Sequence, residues 1–457
     1  ADADNTIVSL VEVPKFEKGQ LVKVINVSYP IFLGLLAQNI VNVTDTAFLG
    51  HLSEVALGGS AMGGLLYICL FTLAFGFSIG SQIMISRRNG EGEYRKIGPI
   101  MWQGSAFSMI MAVALLAVTY FAYPALMRWL VSSDAVYDAS CEFFRWRMWG
   151  FLFAFINVMF RSLYIGITRT KVLTLNALVM AAVNVFLDYA LVFGELGFPQ
   201  MGVAGAALAS VIAEASSLLF FVLYTYYAVD LKKYGLNRFG QFDWNMVIRI
   251  LRISCFTMLQ YFLSFGVWFV FFIALERHGE RALAIANIVR SVYIVLLIPV
   301  QALQTAANTL VSNLIGSGGT QFVMKLLAKV SRMSFGIMVG CVLLCLIFPR
   351  ELLSIYTGEE ALITESMSAL YVICIAVLVS AVANIYLNGI SGTGNTQAAL
   401  IVEGATLAFY AIYIIMVAWV FRAPVSICFT TEIVYYGLML AASIIYFKKA
   451  KWQNKKV

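Results

Sequence analysis

Two carboxylates stand inside long apolar stretches of this sequence, Asp45 and Asp188. Gln38, Asn42 and Asp45 are four and three residues apart, so one helical face carries all three. Asn176, Met180, Asn184 and Asp188 follow one another at intervals of four and form a second stripe. Asn184 and Asp188 offer an amide and a carboxylate one turn apart, and with Asp45 they can hold a proton or a Na⁺ ion. Two nearby buried carboxylates do not both ionise cheaply, so one is expected to bind a proton that the other's charge controls. An ionisable group within a membrane span costs about 2.5–3.5 kcal/mol on insertion scales and marks a site by default.

The elements that must position these groups are membrane helices. The chain has 457 residues, 61% hydrophobic and 12% charged, with a net charge of +7. Its mean hydropathy is +0.86. Apolar runs of about 20 residues, each able to cross roughly 30 Å as a helix, recur along its length. Twelve are expected, at about 24–49, 56–86, 97–121, 137–166, 172–193, 203–228, 245–275, 282–312, 323–347, 364–391, 397–419 and 424–447. One set of ends holds Lys15, Lys18, Lys23, Arg87, Arg88, Arg95, Lys96, Arg169, Lys171, Lys232, Lys233, Arg238, Lys325 and the basic tail 448–457. The other holds only Arg128, Arg277, Arg281, Arg350 and Arg422. By the positive-inside rule both termini are cytoplasmic. Asp45 and Asp188 then lie at similar depth near the outer ends of spans 1 and 5.

The sequence repeats. Glu54-Val55-Ala56-Leu57 aligns with Glu280-Arg281-Ala282-Leu283 at a shift of 226. Tyr67 meets Tyr293 at that shift, Gly166 meets Gly392, and after a deletion Glu214 meets Glu432. The expected fold is an all-α polytopic membrane protein, its twelve transmembrane helices in two parallel, pseudo-twofold-related six-helix lobes. Residues 1–23 form a cytoplasmic segment, 24–229 the N-lobe, 230–244 a cytoplasmic linker, 245–447 the C-lobe and 448–457 a tail. Such repeats belong to secondary transporters. The shift carries Asp45 to Phe271, Asn184 to Tyr410 and Asp188 to Ile414. The second lobe lacks the acidic pair, so a structural need common to both lobes does not explain it.

Other intramembrane polar groups are weaker candidates. Arg145 or Arg147 on span 4 is a counter-ion for the acids, or an interfacial arginine paired with Glu142 or lipid phosphate. Asn157 and Arg161 share a face of span 4; Arg161 either lines the same cavity or extends to the cytoplasmic surface. Glu214 and Glu432, being repeat equivalents, are expected to share a structural role. Glu403 is single and a candidate second coupling group. Phe143, Phe144, Met148 and Met180 could line a pocket for apolar cations. The seven cysteines and two histidines show no metal or disulfide spacing. No nucleotide motif and no catalytic cluster is read, so neither a cofactor nor enzymatic activity is expected, and no nucleic-acid partner. No leader segment is read at the first residues, and Ala1-Asp2-Ala3-Asp4 is expected to be an appended remnant.

At Val43-Thr44-Asp45-Thr46-Ala47-Phe48-Leu49-Gly50 the chain resembles the multidrug and toxic compound extrusion (MATE) family. The resemblance continues through Gly80-Ser81-Gln82, Ser86-Arg87-Arg88-Asn89-Gly90-Glu91-Gly92, Asn184-Val185-Phe186-Leu187-Asp188 and Gly202-Val203-Ala204-Gly205-Ala206-Ala207. It spans about 20–450 and looks most like the DinF-type branch. It implies a twelve-helix antiporter exporting cationic or zwitterionic drugs against H⁺ or Na⁺, with Asp45, Asn184 and Asp188 as the ion site. It also implies a bend at Pro30 and a pocket role for Gln38. Phe143 stands where relatives carry a tyrosine, Ala206 where they carry a threonine unless Ser210 substitutes, and Arg161 where they can carry Asn. These losses of hydroxyl ligands weigh against Na⁺. The acids of the NorM-type branch in the second lobe fall at Gln260 and near Ser380. The expectation is a monomeric H⁺-coupled antiporter of the inner (plasma) membrane that exports amphipathic cationic or zwitterionic drugs and toxic compounds; the alternatives are Na⁺ coupling and a flippase of a lipid-linked or anionic substrate.

Overall fold

A computed structural model describes residues 2–131, 133–276 and 278–457, with side chains from residue 21 onward except at 276 and 280. The side chains of Lys15 and Lys18, and Arg277, all used in the charge asymmetry, lie outside the described residues, as does Ala1. Among the described residues there is no strand, and twelve helices are long and apolar enough to cross a membrane. The first six are α1 (Leu21–Leu52), α2 (Glu54–Gly90), α3 (Tyr94–Leu130), α4 (Asp134–Gly166), α5 (Lys171–Phe193) and α6 (Val203–Ala228). The second six are α7 (Trp244–Leu275), α8 (Arg281–Gly316), α9 (Thr320–Ile347), α10 (Glu360–Gly392), α11 (Thr396–Val420) and α12 (Val425–Lys449). Helices satisfy every backbone donor and acceptor internally, which lipid requires. Several overshoot the expected spans: α2 has 37 residues, about 55 Å of helix against a hydrocarbon layer of about 30 Å. Segment 1–23 is not separate from the first span, because its helix begins at Asp2 and runs unbroken through Pro30.

The chain forms two compact units. The N-terminal unit comprises 33–167 and 171–265 with Val457; the C-terminal unit comprises 266–456 with 1–32 and 168–170. The borders fall inside α1 and α7, not in the loop 230–244. Within the N-terminal unit that loop is docked rather than free. Gly98 N–H donates to the Tyr234 carbonyl at 2.7 Å, Trp102 Nε1 to Leu236 O at 3.0 Å, and Gln103 Nε2 to Gln241 O at 2.9 Å. Tyr234 and Leu236 are buried.

Small residues set the close approaches. Gly59 and Gly63 of α2 face Ala139, Ser140 and Phe143 of α4, and Gly76 and Gly80 face Ser254 to Met258 of α7 with no room for a Cβ. Pairs of glycines four apart let membrane helices touch backbone to backbone, where van der Waals packing replaces the absent hydrophobic drive. The repeat is visible inside each unit. A Cβ on Gly166 would lie 2.6 Å from Ile85 Cγ2, and one on Gly392 would lie 3.2 Å from Val311 Cβ. Ile85 and Val311 are themselves related by the shift of 226.

Candidate functional site

The N-terminal unit gathers the acids. On α5, Asn176 anchors the stripe: its Nδ2 donates to Ser217 O at 3.0 Å, and Ser217 Oγ donates back to its Oδ1 at 2.8 Å. This reciprocal pair fixes α5 against α6, and Gly205 lets the two backbones meet near Leu191. Two turns on, Asn184 Nδ2 donates to both Asp45 oxygens, at 2.9 and 3.1 Å. Ser210 Oγ on α6 donates to Asn184 Oδ1 at 3.4 Å, whereas Ala206 is buried and apolar. Three helices therefore meet at one amide.

Asp188, one turn beyond Asn184, is 1% exposed and neither carboxylate oxygen has a hydrogen-bond partner. A buried, unsatisfied carboxylate is among the most costly arrangements a protein can hold while ionised. It is relieved by a proton or by a bound cation. Asp45 differs: it is half-buried and already accepts two bonds.

The arginines resolve differently. Arg147 pairs not with Glu142 but with Glu214, Nη2 to Oε1 at 2.6 Å and Nη1 to Oε2 at 2.9 Å. Its guanidinium lies 3.7 Å from the Tyr67 ring centroid, and Tyr67 Oη donates to Glu214 at 3.2 Å. Tyr67 stacks in turn on Phe151 at 4.8 Å. Gly150, in a 3-10 turn of α4, leaves the space that this ion pair occupies. Arg147 remains near enough for its charge to act on Asp45, but its donors are committed elsewhere. Asn157 Nδ2 reaches the Glu214 carbonyl at 2.9 Å, leaving its Oδ1 without a partner. Arg161 is half-buried and lies 5.6 Å from the Phe75 ring centroid. Arg145 is exposed.

Gln38 and Asn42 are exposed, Met180 is half-buried and Pro30 is buried. Phe144 and Met148 are wholly buried in a cluster with Tyr67, Phe151 and Phe155, so they pack the core instead of lining a pocket. Phe143 is buried against Leu49, Val192 and Val203. In the C-terminal unit Glu403 accepts from Tyr435 Oη at 2.9 Å. Sequence reasoning missed Tyr67 and Arg290; a tyrosine held at the repeat shift, and an arginine in mid-span, were the available signals.

These features define a multi-pass, all-helical membrane protein whose N-terminal unit joins Asp45 to Asn184, with the buried Asp188 one turn further along α5. The chain belongs to the MatE family, whose sequence profile matches residues 30–190 and 254–416. It is similar to the probable multidrug resistance protein NorM of Thermotoga maritima, at 24% identity over 98% of this chain and 95% of that one. The namesake of Agrobacterium fabrum is 27% identical over 49% of this chain and 48% of its own. Among solved structures, the Vibrio cholerae MATE transporter VcmN in the bent form superposes with TM-score 0.84, at 17% identity, covering 96% of this chain and 98% of that one. A MOP superfamily transporter from Pyrococcus furiosus gives 0.82 at 18% identity, covering 93% and 94%.

Proposed function

We propose that the protein is an antiporter that exports amphipathic cationic or zwitterionic compounds by alternating access, driven by protons through Asp45, Asn184 and Asp188. One observation carries the coupling assignment: Asp188 is buried with both oxygens unpaired while Asp45, one hydrogen-bonded amide away, is held. Such a site changes charge by taking or losing a proton, and that change alters what α1 and α5 can bind. Family membership and the multidrug names of the relatives support the export of drug-like molecules. The motifs around Asp45 and Asp188 support the DinF-type branch.

Outward-facing, the acids take up protons and drug is released; inward-facing, they lose protons and drug binds again. One proton falling through about 100 mV and half a pH unit supplies about 3 kcal/mol. At a factor of ten per 1.4 kcal/mol, that sustains a gradient of about a hundredfold for a drug that moves no opposing charge. The Lys and Arg asymmetry supports an inner-membrane orientation with cytoplasmic termini, and the protein acts as a monomer in this scheme. A Na⁺ ion would use the Asp45 and Asp188 oxygens, but Asn184 turns its Nδ2, not its oxygen, toward Asp45. A flippase of anionic lipid-linked sugars would need a cationic cavity beside the acids, and there Arg147 is held by Glu214.

The test is drug efflux in proteoliposomes under an imposed pH gradient, with and without Na⁺, for wild type and Asp45→Asn. Efflux driven by the pH gradient alone and lost in Asp45→Asn is expected. A strict Na⁺ requirement would replace the proton, and full activity in Asp45→Asn would remove Asp45 from the mechanism.

A further inference from the structure

The C-terminal unit holds a cation that nothing above uses. Arg290 of α8 is 5% exposed, and its Nε and Nη1 have no hydrogen-bond partner. No carboxylate lies within ion-pair distance of it among the described residues. Glu432, the acid of this region, is occupied by neutral donors: Tyr410 Oη at 2.7 Å on Oε1 and Tyr293 Oη at 3.1 Å on Oε2. Tyr436 bonds to Tyr293 and completes the hydroxyl cluster. Arg290 lies near enough to Tyr410 for its charge to act on that hydroxyl. Its flat face lies 3.3 Å from the Trp268 ring centroid, with Phe272 at 5.0 Å and Phe271 at 5.2 Å.

A guanidinium buried without an ion-pair partner is costly, and an aromatic bed offsets only part of that cost. Arginine in a membrane segment that is not paired marks a ligand by default. Trp268 and Phe272 are only half-buried. The aromatic bed is thus partly exposed, beside buried donors that lack acceptors.

We propose that Arg290, with Trp268 and Phe272, is a subsite for an aromatic molecule bearing a carboxylate: the carboxylate accepts from Nε and Nη1, and the ring lies against the half-exposed aromatic side chains. Charge-assisted bonds of this kind are about twice as strong as neutral ones. Within the export reading, this is the feature that would favour zwitterionic substrates over simple cations.

Equilibrium binding to the purified full-length chain tests it without any ion gradient, so it stands or falls separately from transport. The probes are 1-naphthoate, the neutral 1-naphthamide and a naphthyl-trimethylammonium cation. Wild type should bind naphthoate at least tenfold more tightly than naphthamide. Arg290→Gln should abolish that preference and leave cation binding within twofold, and Arg290→Lys should restore part of it. Equal affinity of wild type for naphthoate and naphthamide would overturn the proposal even where the variants fail to fold. A preference that survives in Arg290→Gln would overturn it as well.

Discussion

Tyr67 with Glu214, and Tyr293 with Glu432, occupy equivalent positions in the two repeats, yet the cation beside each comes from a different place. In the N-terminal unit it is Arg147 of α4, locked to Glu214 by two bonds of 2.6 and 2.9 Å. The shift of 226 carries Arg147 to Ile373. In the C-terminal unit the cation is Arg290 of α8 itself, whose equivalent is Gly64. There the carboxylate is satisfied by tyrosine hydroxyls instead. Buried atoms without a hydrogen-bond partner remain on Asp188 in the first unit and on Arg290 in the second. The same scaffold pair thus serves as a sink for the local arginine in one unit and leaves it available in the other.

The difference can be broken most forcefully at the acids. Asp188→Asn should bring the steady-state drug gradient from about a hundredfold to near unity under a proton gradient, while Glu432→Gln should leave it within about threefold, because the amide oxygen still accepts from one tyrosine and the amide NH2 can donate to the other tyrosine's oxygen. Matched accumulation assays in proteoliposomes read both. Next is the ion pair. Arg147→Ile, which gives the N-terminal unit its counterpart's residue, leaves Glu214 buried without a cation and should destabilise by about 3–5 kcal/mol. Glu432→Gln should cost about 1 kcal/mol, and thermal unfolding in detergent compares them. A smaller effect concerns the loops. Gly98 has no room for a Cβ against Gly235, whereas its equivalent Met324 is exposed with a full side chain. Gly98→Ala should cost about 1–3 kcal/mol by overpacking and speed protease cleavage at Lys232 and Lys233. The smallest concerns one turn. Thr168 sits at φ +63° where its equivalent Gly394 has φ +93°. Thr168→Gly should stabilise by about 1 kcal/mol and Gly394→Thr should destabilise by a similar amount, both read from melting curves.

Much of this was legible in the sequence because membrane helices announce themselves. Long apolar runs require α-helices in lipid, and the stripe from Asn176 to Asp188 specifies which residues share a face. The link between Asp45 and Asn184 could be anticipated from polarity and repeat asymmetry, although they are 139 residues apart. Partner choice was not legible. Glu142 is five residues from Arg147, yet the arginine selects Glu214 on another helix, a decision made by helix rotation and by the space at Gly150. Likewise the docking of 230–243 on α3 depends on Gly98, whose small size carries no signal without the facing chain. The burial of Phe144 and Met148 depends on which face of α4 turns inward, and on that face Tyr67 and Phe151 wait as neighbours.

The most direct measurement counts protons released when drug binds to purified protein in weakly buffered detergent solution. Wild type should release about one proton per drug bound at a pH where the acid site is protonated, and Asp45→Asn and Asp188→Asn should each reduce that release sharply. Undiminished release in both variants would contradict coupling through the N-terminal acids and place the proton elsewhere in the chain.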